Sequence, residues 1–145
     1  MVVHIGPSDW PPVPALMVSS VASSLDWYLK VLGFQLVSES YWEGEVASAH
    51  LSWAGYSWLL LVAQRNRLPA NSLKCSGIRF SFWTEQDLYS LATRAVEKGG
   101  QIAFGPVTHP WGIRELTFRD PDGYLVTFCQ RVHLRKLSVS RYIPC

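Results

Sequence analysis

Pro110-Trp-Gly-Ile-Arg-Glu-Leu-Thr-Phe-Arg-Asp-Pro-Asp-Gly-Tyr124 is the stretch on which the fold turns. Arg114 to Arg119 reads as a strand, and Asp120-Pro-Asp-Gly123 as a tight turn, because proline fixes φ and glycine accepts positive φ. Tyr124 to Gln130 is then the return strand. An earlier stretch echoes this one: Ala49-His-Leu-Ser-Trp followed by Gly55-Tyr56 matches Arg114-Glu-Leu-Thr-Phe followed by Gly123-Tyr124. With the two first strands roughly 64 residues apart, the echo implies an internal duplication.

Working outward, each half reads as strand, helix, strand, strand, strand. In the first half these are Val13 to Val18, a helix over Val21 to Gly33, then Phe34 to Glu39, Val46 to Trp53 and Trp58 to Ala63. Ser23 or Ser24 is the expected N-cap, Gly33 the stop, and Leu25, Tyr28, Leu29 and Leu32 the buried stripe. In the second half the strands are Ile78 to Trp83, Gln101 to Phe104, Arg114 to Arg119 and Tyr124 to Gln130. The helix Glu85 to Lys98 is capped by Thr84 with Asp87 three residues on, stopped by Gly99-Gly100, and buries Leu88, Leu91, Ala92, Ala95 and Val96. The organisation is an N-terminal arm (1–11), a first βαβββ repeat (12–64), a polar linker (65–75), a second repeat (76–130) and a basic tail (131–145). The fold class is α+β: two repeats whose curled mixed sheets surround a cavity, with helices on the outer face.

Composition narrows the function. The chain has 145 residues, 48% apolar and 17% charged, enough to bury a sizeable core. Its longest apolar run, Trp58 to Ala63, is strand-sized and far short of the roughly 20 residues that span a bilayer. No secretory signal is visible after Met1, so the expected compartment is the cytoplasm. The net charge of +2 is uneven: Arg131, Arg135, Lys136 and Arg141 sit in a tail without acids, leaving nine bases against eleven acids elsewhere. The body thus lacks the basic face that nucleic acid requires. Cys75, Cys129 and Cys145 are odd in number and widely spaced, which argues against a disulfide framework and a thiolate zinc site. His4, His50, His109 and His133 show no metal-ligand spacing and read as solvated or hydrogen-bonded structural residues. No phosphate loop, nucleophile elbow or Cys/His dyad is present.

Two motifs, Ala22-Ser-Ser-Leu-Asp-Trp-Tyr-Leu-Lys-Val-Leu-Gly-Phe34 and Pro110 to Tyr124, in order and at repeat spacing, resemble the vicinal oxygen chelate superfamily over about residues 12 to 130. That superfamily includes glyoxalase I, extradiol dioxygenases, fosfomycin-resistance enzymes and bleomycin-resistance proteins. Its metalloenzymes hold one divalent ion with His or Glu from four strands. Carried over by the flanking motifs, those positions are Val13, Leu60, Gly77 and Thr127, and none offers a strong donor. The resemblance therefore points to the bleomycin-resistance branch: a binding protein with no metal and no cofactor. It also implies a homodimer, with repeats paired between or within chains.

If the carried-over positions face the cavity, strand alternation turns Ala15, Met17, Trp58, Val62, Arg79, Ser81, Leu125 and Cys129 the same way. Arg79 is the exception in an apolar lining, and a buried guanidinium needs a partner, for which Glu115 is the expected residue. The hairpin Glu39-Ser-Tyr-Trp-Glu-Gly-Glu45 mixes three acids with two aromatics, suited to a flat cation. The expected ligand-binding residues are Trp42, Glu43, Trp58, Arg79, Trp111, Glu115 and Thr127, with no catalytic residue assigned. Trp27 is expected in the helix–sheet core. Two functions follow. One is sequestration of a small, aromatic, cationic molecule; the other is a divergent enzyme of lyase, isomerase or dioxygenase type, in which Glu115 or Glu43 could act as acid or base.

Overall fold

The computed structural model describes residues 13–55, 57–63 and 78–133, with residues 57 and 58 described by backbone alone. The N-terminal arm, the linker, Gly77, Cys75, Cys145 and most of the basic tail lie outside the described residues. The chain divides into two compact units, residues 1–72 and 73–145.

The first unit runs β1 (Ala15–Val18), α1 (Val21–Trp27, continued by a π-helical turn Tyr28–Leu32), β2 (Gln35–Trp42), β3 (Glu45–Trp53) and β4 (Ser57–Ala63). Its sheet has the order β1-β4-β3-β2, with β1 parallel to β4 and the other neighbours antiparallel. The second unit runs β5 (Arg79–Trp83), α2 (Leu88–Glu97), β6 (Gln101–Thr108), β7 (Ile113–Arg119) and β8 (Leu125–Arg131). Its order is β5-β8-β7-β6, again with one parallel pair, β5 with β8. The fold is therefore α+β, two βαβββ repeats of identical strand order. No helix among the described residues is long and apolar enough to cross a membrane.

In each unit the helix covers one sheet face, and period-2 alternation sends the larger apolar residues to it. Leu16, Val18, Leu51, Leu59 and Leu61 are buried in the first unit with Val21, Leu25, Tyr28 and Leu32 of the helix. Phe82, Leu116, Phe118, Val126 and Phe128 are buried in the second, with Leu88, Leu91, Ala92 and Ala95. The opposite faces are left open within each unit. They carry Ala15, Met17, Leu60 and Val62 in the first, and Arg79, Ser81, Leu125 and Cys129 in the second, as alternation requires.

Local details depart from the sequence reading. The first helix is capped by Ser20, whose hydroxyl accepts from the Ser23 amide at 3.2 Å, and not by Ser23 or Ser24. The π turn inserts one residue into the repeat, so Val31 is buried in place of Leu29. The second helix starts three residues later than Glu85. Asp87 is its cap and Thr84 accepts from the Gln86 amide before it. Val96 is exposed on this helix because the stripe closes at Ala95. Trp27 is half-buried and stands edge-on to Tyr28, at 5.0 Å between ring centres.

Two turns position side chains discussed below. Glu43 and Gly44 both have positive φ (51° and 82°), the two-residue geometry whose twist matches its flanking strands. Trp42 and Glu45 are thereby set side by side across the hairpin. In β6, a Cβ on Gly105 would collide with the carbonyl oxygen of Glu115, so only glycine lets β6 approach β7 at this level.

Candidate functional site

The open face of the second sheet gathers the polar residues that alternation aims there. Cross-strand register sets Trp83 beside Cys129, Cys129 beside Glu115 and Glu115 beside Val107. Glu115 is the hub. Its Oε2 lies 3.0 Å from His109 Nε2 and 4.0 Å from Arg79 Nη1. The expected Arg79–Glu115 pair is thus present, but for a different reason than burial: the Arg79 side chain is 52% exposed, and a pair at 4.0 Å in water contributes little.

His109 and Trp111 are placed by the β6–β7 connection. The His109 amide donates to the Ile113 carbonyl at 2.8 Å, and the Gly112 amide to the His109 carbonyl at 3.1 Å. Gly112 has φ 84°, which closes the loop tightly and folds Trp111 back over His109. The two rings lie parallel, 4.4 Å apart and 4° from coplanar orientation. Trp111 itself is 57% exposed. The carboxylate of Glu115 therefore orients an imidazole that in turn supports an exposed indole.

Beside this hub, burial pushes the Cys129 thiol above its ordinary pKa, and the Glu115 carboxylate adds to the effect; Arg79 and a hydrogen bond with Ser81 oppose it. Thr127 is fully buried and shares a 2.7 Å hydrogen bond with Thr117.

The β2–β3 hairpin of the first unit presents a second grouping. Trp42 is 61% exposed and stands beside Glu45, with Glu43 at the turn. Tyr41 is also exposed and donates its hydroxyl to Glu39, whose carboxylate raises the phenol above its ordinary pKa. Trp58 lies in β4 opposite Ser52, and only its backbone is described.

Of the positions that the resemblance implies for a metal ion, the three among the described residues do not fit one. Val13 and Leu60 end in hydrocarbon, and the Thr127 hydroxyl is neutral and already paired. Among the described residues no three His, Cys, Asp or Glu side chains form a metal-binding group.

Of the residues expected from sequence, Arg79, Glu115 and Trp111 belong to one cluster, Trp42 and Glu43 to the hairpin, and Thr127 lies between Ser81 and Thr117 on the face that carries Arg79 and Glu115, but is itself buried. His109 is the residue that sequence reasoning missed. The signal was available in His109-Pro-Trp-Gly112, where glycine closes a tight turn that carries His109 back to Glu115.

The chain is similar to several solved structures. The structure of TioX from Micromonospora sp. ML1 is similar, with TM-score 0.67, 22% identity, and coverage of 85% of this chain and 100% of that one. That of TnmS3, an antibiotic binding protein from Streptomyces sp. CB03234, has TM-score 0.64 and 25% identity over 84% of this chain and 97% of the other. That of virulence protein STM3117 from Salmonella typhimurium has TM-score 0.63 and 25% identity over 91% and 100%. No curated protein matches the sequence. The profile of one family matches residues 3–128, nearly the whole of both repeats. The chain belongs to the Glyoxalase/Bleomycin resistance protein/Dioxygenase superfamily.

Proposed function

We propose that this protein binds a small, flat, aromatic cation and holds it without transforming it, as a cytoplasmic homodimer with no metal or cofactor. The observation that carries the reading is the β2–β3 hairpin, where Trp42, 61% exposed, stands directly across from Glu45 and next to Glu43 at the turn. An exposed indole face attracts a planar cation by its quadrupole, and neighbouring carboxylates deepen the attraction. A similar structure described as an antibiotic binding protein supports the same class of activity. Exposed Met17, Trp83 and Phe104 on the open sheet faces support the homodimer, since apolar surface of this kind favours association.

Calorimetric titration with the flat cation proflavine tests the reading. The wild-type chain should bind it, and Trp42→Ala should weaken binding by about 1–3 kcal/mol through lost stacking and cation–π attraction. Equal affinity in the two proteins would return Trp42 to a structural role.

One observation favours a second reading, a divergent enzyme of the superfamily. An imidazole hydrogen-bonded to a carboxylate, as His109 is to Glu115 at 3.0 Å, is an arrangement that general acid–base chemistry uses. The two readings differ in whether a bound compound is released unchanged.

A further inference from the structure

We propose that the open face of the second sheet is a site for a flat aromatic anion, with the anionic group drawn to Arg79 and the ring laid on Trp111. This goes beyond the cation reading, which rests on the β2–β3 hairpin of the other unit. Register defines the face row by row. Arg79, Leu125, Arg119 and Gln101 form one row; Ser81, Thr127, Thr117 and Phe104 the next; Trp83, Cys129, Glu115 and Val107 the third; Arg131 and Ile113 the last. Three arginines therefore share a face with one carboxylate. That carboxylate is already engaged, since Glu115 faces both His109 and Arg79.

The arginines are not equally engaged. Arg131 lies over the Trp83 ring at 5.5 Å, and Arg119 donates to the Gly123 carbonyl at 3.5 Å. Arg79 makes no hydrogen bond within the described residues; its ion pair at 4.0 Å is beyond that range, and half its side chain is exposed. A planar carboxylate or phenolate would supply the short, charge-assisted hydrogen bonds that Arg79 lacks. A cation, by contrast, would meet net positive charge on this face, with Glu115 already hydrogen-bonded to His109.

The aromatic half of the site is Trp111. One of its faces is covered by the parallel His109 ring, and no described ring covers the other. The His109–Glu115 hydrogen bond fixes the imidazole and so holds the indole in position before any ligand arrives. Arg79 faces Glu115, Glu115 holds His109, and His109 carries Trp111, so one chain of contacts links the charge to the ring.

Calorimetry on the full chain with naphthalene-2-carboxylate and its uncharged amide tests the proposal. The carboxylate should bind more tightly than the amide by about tenfold, the usual size of a charge-assisted contact at a half-exposed site. Arg79→Gln should remove that preference, and Trp111→Ala should weaken both compounds alike. Equal binding of carboxylate and amide by the wild-type chain, or no binding at millimolar concentration, would overturn the proposal without any variant. So would a preference that survives in Arg79→Gln.

Discussion

Cys129 shows how a residue's neighbours set its chemistry. It stands beside Glu115, yet burial and the carboxylate both disfavour its thiolate, the reactive form. Iodoacetamide at pH 8 should leave Cys129 unmodified in the native protein and label it fully in urea, as read by peptide mapping. Rapid native labelling would show that the thiol is open to solvent. Period-2 alternation was enough to turn Arg79, Glu115 and Cys129 to one face from sequence alone, because it needs only strand position. His109 escaped because its placement depends on a loop: the β6–β7 connection, not strand parity, brings it to Glu115. The exposure of Arg79 was equally illegible, since it depends on what covers the sheet rather than on the strand itself.

At the scale of elements, the helix starts were read one turn or less away from their true positions. The Ser19-Ser20 and Ser23-Ser24 pairs offer several hydroxyls of similar capping strength, and backbone geometry chooses Ser20. For α2, Thr84 and Asp87 are both good caps, and the true one is the residue whose carboxylate accepts from the Ser90 amide at 3.0 Å. That hydrogen bond, with a second from the Ser90 hydroxyl, holds the Asp87 carboxyl below its ordinary pKa. A lowered folded-state pKa stabilises the protein above the unfolded value, and the contribution is lost as pH falls through the folded value. Asp87→Ala should therefore lower the melting temperature at pH 7, by an amount that narrows as pH drops below the ordinary carboxylate range. A difference that stays constant down to pH 2 would show that the cap acts without its charge. The π turn at Tyr28–Leu32 had no sequence mark, since Tyr-Leu-Lys-Val-Leu suits an α-helix equally well, and the shift of burial to Val31 followed from it.

For the whole molecule, the duplication was the most legible feature, because matched turns and strands recur in letters as well as in pattern. Identical strand order in both sheets confirms it. The assembly is not written in the same way, since open apolar faces can be covered by a partner's repeat or by the chain's own. Sedimentation equilibrium at micromolar concentration should return about twice the 16.4 kDa chain mass, and a monomer that still binds ligand would remove the partner from the proposed function. The central claim is that the protein binds a cationic aromatic molecule and returns it unaltered. The direct measurement is to incubate the purified chain with bleomycin, separate bound from free compound, and weigh the released compound by mass spectrometry. Saturable binding, weakened by Trp42→Ala, with the released mass unchanged after prolonged incubation is the predicted result. A new product that accumulates beyond the amount of protein would contradict it and establish an enzyme.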